Sequence, residues 1–349
     1  MEGMRQNAKI ENYPWLFDAL NSGKIKIYTD HGIDDILPGF RVNLKKKYSN
    51  SRWKHFFPQL VGFPLYLFFH RFINPQCIYV TFGNSISTYI LMTLQFIFSL
   101  FLKPRPHVLF DCLWETNRSL RNKITVAVRS FLVHQVISKV VVYCQSDIIK
   151  FNTALKIERQ KLIFIPYHHT LEEFSIKTTD NGFIFSGGDP FRDYAPLIQV
   201  CEELQIPLKI ATHKVSELDY NKTSDLFVIR PTTPQVYNEW LSSCRFMVLP
   251  FCSNIPRTVG HQTFINAMLL EKPVVFYNKE IAEGYITNGV NGIVIESGDY
   301  SNFKDAIFKL YHSPELRLQI GQKARESILK ANLCPEEWVL RTYNSVSIP

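Results

Sequence analysis

The chain has 349 residues, 46% of them hydrophobic and 20% charged, a composition that folds into compact domains and excludes a disordered or low-complexity protein. Its formal net charge of +8 calls for an anionic partner, and charge alone leaves nucleic acid, a phosphorylated small molecule and an anionic membrane surface open. The seven cysteines are odd in number, scattered and without a C-x-x-C pair, which excludes a disulfide framework and a zinc site and points to a reducing compartment.

The opening "MEGMRQNAKIENYPW" has no apolar core, so no signal peptide is expected and the location is read as cytoplasmic; the sequons at Asn117 and Asn221 then carry no glycan. "WLFDALNSG" predicts a helix stopped at Gly23, feeding the strand "KIKIYTD". His31, just after that strand, is an outlying site candidate. The segment 41–57, "RVNLKKKYSNSRWKHFF", sets Lys45, Lys46, Lys47, Arg52 and Lys54 beside Trp53, Phe56 and Phe57. Cations attract anionic lipid and aromatic rings suit the headgroup boundary, so this segment is expected to meet an anionic membrane surface on the inner face, a solvated charged loop being the alternative. Nucleic acid is a poorer partner, because no aromatic-bearing open sheet is in prospect.

Two apolar stretches follow. Residues 60–73 are too short to span a bilayer and hold His70 and Arg71; residues 86–103 carry Ser87, Thr88, Thr93, Gln95 and Ser99. A spanning helix needs about 20 mostly apolar residues, so both read as buried helices of a large sheet domain. "QCIYVTFG" and "HVLFD" are continuous apolar runs of the kind buried on both faces of a parallel sheet, the second ending in Asp111. A carboxylate there can cap a helix or stand in a loop, and it can also orient a ligand hydroxyl. Helix 122–137, strand "KVVVYCQ", helix "SDIIKFNTAL" and strand "KLIFIP" complete the first half.

Residues 167–182 are polar and irregular and mark the domain boundary; His168 and His169 within them lack the matching Cys or acids of a metal site and read as hinge residues. The second half alternates again: strand "GFIFSGG", helix "YAPLIQVCEEL", strands "PLKIAT" and "DLFVIR", and a helix capped by Thr233 with Pro234 at its first position. Then come strand "FMVLPF", a helix from about His261, strands "PVVFYN" and "NGIVIES", and two closing helices. Two tandem parallel-sheet domains place a ligand cleft at the C-terminal strand ends.

Two stretches there suit an anion. In "FSGGDPFRD" the pair Gly187-Gly188 lets backbone approach a ligand and Arg192 adds a fixed forked cation, a combination that fits a diphosphate; a tight turn with a surface arginine is the plain alternative. "CSNIPRTVG" leads into the start of a helix at His261-Gln262-Thr263, where free N–H groups and the dipole favour negative charge, unless this is an ordinary βα unit.

The ordered segments "SGGDPFRDYAPLI", "VYNEWLSSCRFMVLPF", "GHQTFINAMLLEKPVVFYN", "GYITNGVNGIVIESGD" and "PELRLQIGQKARE" resemble the nucleotide-sugar-binding half of GT-B glycosyltransferases, in particular the retaining family 4. The first half is similar to that family chiefly through "VVVYCQSDIIKFNTALKIERQKLIFIPYHHTLEEF". The resemblance implies an α/β GT-B fold, two Rossmann-like parallel-sheet domains facing a central cleft: residues 1–178 on the acceptor side, 179–330 binding the nucleotide-sugar, and a terminal helix in 331–349 packing back across the domains.

It further implies transfer of a hexose from a nucleotide-diphosphate sugar to a glycan or lipid-linked acceptor in cell-surface polysaccharide synthesis, with retention of configuration and no metal or other cofactor. Arg192 and Asp111 are the catalytic candidates. Gly187, Gly188, Arg192, Gly260, His261, Gln262, Thr263 and Asn266 would hold the donor, and Arg230, Pro231 and Thr232 would line the base pocket. The family's two glutamates fall here on Thr258 and Asn266, its usual Ala-Asp on Cys244-Arg245, and no glycine-rich loop follows a first strand. Asn266 can still accept one hydrogen bond and donate another to a ribose, without charge assistance. An inactive partner of another transferase, an epimerase and a membrane-binding module are the alternatives.

Overall fold

The computed structural model describes residues 26–29, 63–73, 77–83, 86–110, 112, 120–171, 178–220, 225–253, 255 and 257–347, and all structural statements concern these. They belong to two compact units, Met1–Pro166 with Cys334–Pro349, and Tyr167–Leu333. The chain leaves the first unit at Pro166, at the start of the polar run rather than at 178/179. Residues 167–171 stay with the second unit, where His169 N donates to Leu333 O at 2.9 Å.

The first unit is built on five parallel strands, β1 (Lys26–Thr29), β2 (Cys77–Phe82), β3 (His107–Phe110), β4 (Lys139–Val142) and β5 (Leu162–Phe164), lying side by side in chain order. Strand-to-strand crossovers are right-handed, and when every crossover steps in one direction all the connecting helices fall on one face. These are α1 (Phe63–Ile73), α2 (Ile86–Ile97), α3 (Leu120–Val136) and α4 (Gln145–Ala154). Their inner sides share cores with the strands: Phe68 and Leu91 with Cys77 and Tyr79; Met92, Val133, Ile148 and Phe151 with Leu109 and Val140. The opposite face needs another cover. The terminal helix α11 (Pro335–Ser347) is in the same unit, touches β4 and sets Trp338 edge-on to Phe110 with ring centroids 5.7 Å apart.

The two apolar stretches are indeed helical, and none of the described helices is long and apolar enough to cross a membrane. Their burial is one-sided, because a helix on a sheet buries only one stripe: Thr88, Leu91, Met92 and Gln95 are buried, while Ile97, Leu100 and Phe101 are exposed.

His107 shows how the sheet's polar content is satisfied. Gln95 Oε1 accepts from Arg105 N at 2.9 Å, so its amide nitrogen donates to His107 Nδ1 at 3.0 Å; the imidazole proton then sits on Nε2, 2.7 Å from Thr81 Oγ1. The ring is fully buried, and burial lowers its pKa to about 3, so it is neutral at physiological pH. Since the unfolded chain takes up this proton near pH 6.5 and the folded one near 3, stability is full above pH 6.5 and falls as the medium is acidified below it. At pH 5 the loss is about 2 kcal/mol, from about 1.4 kcal/mol per pH unit. Urea unfolding at pH 7 and pH 5 is expected to show this loss, and His107→Gln to show a shallower pH dependence than the parent.

The second unit carries six parallel strands, β6 (Ile184–Gly187), β7 (Leu208–Ala211), β8 (Phe227–Arg230), β9 (Phe246–Pro250), β10 (Val274–Tyr277) and β11 (Ile293–Ile295), in the order β11-β10-β9-β6-β7-β8. The chain runs outward from β6 to β8, returns to β9 on the other side of β6, and runs outward again. Helices therefore cover both faces. α5 (Ala195–Glu203) and α9 (Tyr300–His312) lie in one core, and α6 (Pro234–Ser243), α7 (His261–Leu269), the short α8 (Lys279–Ala282) and α10 (Pro314–Lys330) mainly in the other. The topological switch point lies between β6 and β9, where open α/β sheets form their ligand crevice.

The departure at Cys244-Arg245 has a local explanation. Arg245 Nε and Arg317 Nη2 both lie 3.0 Å from the Asp180 carboxylate, Arg245 covers the Tyr311 ring at 4.2 Å, and Lys272 Nζ donates to Thr179 O and Cys244 O at 2.8 and 2.7 Å. Together they fasten residues 179–180 below the strand β6.

Candidate functional site

β6 ends on Ser186-Gly187, and Ser186 Oγ donates to Val248 O at 2.6 Å, which clamps β6 to β9 where they part. Gly187 permits close packing beneath it, since a Cβ there would lie 2.6 Å from the Tyr237 ring. Gly188 follows in the positive-φ region at +105° and its carbonyl accepts from the Tyr194 hydroxyl. The next five residues are strapped against the end of β9: Cys252 N donates to Phe191 O at 3.0 Å, Asp193 N to Pro250 O at 2.8 Å, and Arg192 pairs with Phe251 as an antiparallel bridge.

This strap carries Arg192 inward. Its guanidinium stacks on Phe251, 3.6 Å from the ring centroid, and the residue is only 9% exposed. Gly188 and Gly260 flank it: a Cβ on Gly188 would lie 3.4 Å, and one on Gly260 2.6 Å, from Nη2. Nη1 has a long bond of 3.4 Å to Pro190 O, and the buried Nε has no hydrogen-bond partner. Asp189, whose charge acts on Arg192, is itself engaged, accepting from the Thr212 hydroxyl, from His213 N at 3.0 Å and from His213 Nδ1 at 2.9 Å. Burial lowers the Arg192 pKa to about 10, so the group remains cationic at neutral pH. A buried, incompletely paired cation costs several kcal/mol, offset only when an anion arrives.

Gly260 also opens α7. It caps the helix at φ +81° without a side-chain bond, so the first-turn N–H groups and the positive dipole end meet the Arg192 guanidinium side of the crevice. Of the expected donor residues, Gly187, Gly188, Arg192 and Gly260 are thus brought together within one unit at the switch point.

The others are occupied otherwise. His261 is 3% exposed and packs on Tyr285 and Phe264 with ring centroids 5.2 and 5.5 Å away. Burial, then the charges of Arg257 and Arg192, lower its pKa to about 3, which keeps it neutral. Thr263 bonds the hydroxyl of the half-buried Tyr237. Asn266 Oδ1 accepts from Thr170 N at 2.9 Å, Asn266 Nδ2 donates to Thr170 Oγ1 at 2.9 Å, and Gln262 Nε2 donates to the same oxygen at 2.8 Å. These amides clasp the 167–171 segment to α7. Arg230 stands at the end of β8 with its guanidinium 5.3 Å from the Trp240 ring and its carbonyl taken by Thr212 N at 3.2 Å; Pro231 and Thr232 follow outside the strand. Thr258 is buried. Asp111, His31 and the segment 41–57 lie outside the described residues.

Sequence reasoning missed Phe251, Tyr237 and Thr170. Phe251 had one signal, an aromatic residue directly after a strand that feeds the site; Thr170 had none, since its partners are 92 and 96 residues away.

Gly260→Ala would force an L residue into the left-handed region, at about 1–2 kcal/mol, and push Nη2 aside. A melting point lower by several degrees and at least tenfold weaker diphosphate binding are expected, measured by calorimetry. Asn266→Ala removes two hydrogen bonds to a largely exposed partner and should destabilise by about 1 kcal/mol in denaturant unfolding.

The model of the family described as glycosyl transferases group 1 matches residues 241–327, which include β9, α7, β10 and most of α10. The putative glycosyltransferase EpsD of Bacillus subtilis (strain 168) is 33% identical over 66 residues, 19% of this chain and 17% of that protein. Among solved structures, Anabaena HepE in complex with UDP-glucose superposes with TM-score 0.65 at 13% identity, over 93% of this chain and 99% of its own. A glycosyltransferase from Rickettsia africae gives 0.61 at 15% identity over 92% and 88%, and TarM of S. aureus gives 0.56 at 15% over 81% and 57%. This chain therefore spans under a fifth of EpsD and little more than half of TarM. The protein has the GT-B fold, and within its second unit residues 241–327 match the model of the glycosyl transferases group 1 family.

Proposed function

We propose that the protein is a glycosyltransferase that moves a hexose from a nucleotide-diphosphate sugar to a glycan or lipid-linked acceptor, with retention of configuration, in cell-surface polysaccharide synthesis. The observation that carries this reading is the buried cation of Arg192 on Phe251, between Gly188 and Gly260 and beside the start of α7. Donors aimed at a leaving diphosphate stabilise the charge that develops as the glycosidic bond breaks, which is the main electrostatic demand of the reaction. On this reading Arg192 and the helix start take the charge that a divalent ion would otherwise take, and no metal is required. The complexes of HepE with UDP-glucose and of a TarM variant with UDP and alpha-GlcNAc-glycerol support a uridine-type donor and a glycan acceptor. The second unit would hold the donor, with Arg230, Pro231 and Thr232 near the base. The first unit would take the acceptor near Asp111 and reach the inner membrane face through 41–57.

A second reading, an inactive partner that binds nucleotide without turnover, is favoured by one observation: Gln262 and Asn266, expected at the donor, are both engaged with Thr170.

A thermal-shift screen against UDP, GDP, ADP and their sugars separates these readings from the rest. A ligand at 100 times its Kd adds about 2.7 kcal/mol, a shift of several degrees for a unit of this size. The expected result is a shift with at least one diphosphate, reduced about 10- to 100-fold in affinity by Arg192→Ala; no shift with any at millimolar concentration would overturn the donor site. Release of free nucleotide with an acceptor extract distinguishes transferase from inactive partner. For a nucleotide-sugar, which keeps its charge over this range, His261 stays neutral between pH 8 and 5 and adds no pH dependence, and affinity should fall as pH rises through about 10, where Arg192 loses its proton.

A further inference from the structure

The first unit carries a surface that neither the donor site nor the segment 41–57 accounts for. Because its sheet is wound in one direction, α1, α2 and α3 lie side by side on one face, with α2 packed against both neighbours. Their inner stripes are buried, as a sheet-covering helix requires. Their outer stripes should then be polar, and they are not. Phe69 and Phe72 on α1, Leu100 and Phe101 just beyond α2, and Val128 and Phe131 on α3 all point outward, with Leu100 85% and Phe101 82% exposed. A spacing of three residues keeps Phe69 with Phe72, and Val128 with Phe131, on one helical stripe. Ring contacts join the stripes: Phe68 lies 5.7 Å from Phe69 and 5.0 Å from Phe98, and Phe96 lies 5.1 Å from Phe131. A soluble surface scatters such residues singly, and contiguous large apolar groups mark a docking face.

Charge says what docks there. Residues 63–110 and 120–146 contain no Asp or Glu at all, while Lys103, Arg105 and Arg129 fall within them. Lys103 is exposed in the segment that follows Leu100 and Phe101, and Arg129 lies over the Tyr89 ring at 4.7 Å beside the α3 stripe. A second copy of this chain would bring cations against cations. An acidic headgroup layer over hydrocarbon complements both features at once: the aromatic and leucine side chains enter the acyl boundary and the cations meet phosphate.

We propose that the outer face of α1–α3, centred on Leu100 and Phe101, seats the protein on an anionic lipid bilayer. The contact is interfacial, and it does not depend on the transferase reading.

The test is flotation of the full chain with vesicles of phosphatidylcholine alone and of phosphatidylcholine with about a third of phosphatidylglycerol. The expected result is binding to the anionic vesicles at least tenfold tighter than to neutral ones, weakened by salt. Leu100→Ser with Phe101→Ser should reduce binding at least tenfold while leaving the melting point and nucleotide-induced shifts unchanged, and Lys103→Glu alone should reduce it in the anionic vesicles only. Three results would each overturn the proposal: no binding of the parent protein to anionic vesicles, undiminished binding of both variants, which would put the contact elsewhere, or light scattering that shows self-association through these side chains with no vesicle binding. Because the nucleotide shift is read separately, loss of membrane binding leaves the donor site standing, and the reverse.

Discussion

The stacking of Arg192 on Phe251 is the constraint around which the second unit is arranged. A guanidinium with little solvent and an incomplete hydrogen-bond set is costly to bury, and it is held here by the Phe251 ring and by close backbone. The positive φ of Gly188 and Gly260, the strap of residues 189–193 along β9, and the diversion of Asp189 to Thr212 and His213 all follow from seating that cation without neutralising it. The sheet order matters equally, because the chain reverses its direction at the β6/β9 parting, and connections that leave on opposite sides open a crevice there.

Much of this was legible in the sequence. Continuous apolar runs gave the parallel strands, because strands buried on both faces cannot alternate; Gly187-Gly188 with Arg192 marked the close turn that seats a cation, because few residue sets combine close backbone with a forked cation. The unread part was long-range. Asn266 reads as a ribose ligand when only its helix is considered, yet its amide satisfies both the N–H and the hydroxyl of Thr170, a pairing that no local pattern encodes. Arg245 reads as a lost acid, but it holds Asp180 from the other end of the same strand layer. The position where the chain changes unit escaped for the same reason: polar composition marks a loop, while membership is decided by bonds such as His169 to Leu333.

The two units solve the same packing problem by different windings. Reversal at β9 covers the second unit's sheet on both faces from within one continuous segment. The first unit never reverses, so its helices crowd one face, and Phe110 on β3 meets a helix that arrives from 228 residues further along, through Trp338.

That late arrival has a kinetic consequence. During synthesis, the described strands of the first unit have all emerged with Phe164, but the helix that packs against Phe110 follows only after the whole of the second unit. The nascent chain must therefore carry an apolar sheet face without this cover while residues 167–333 emerge and fold, an interval in which a chaperone or a premature neighbour competes for the place that α11 will take.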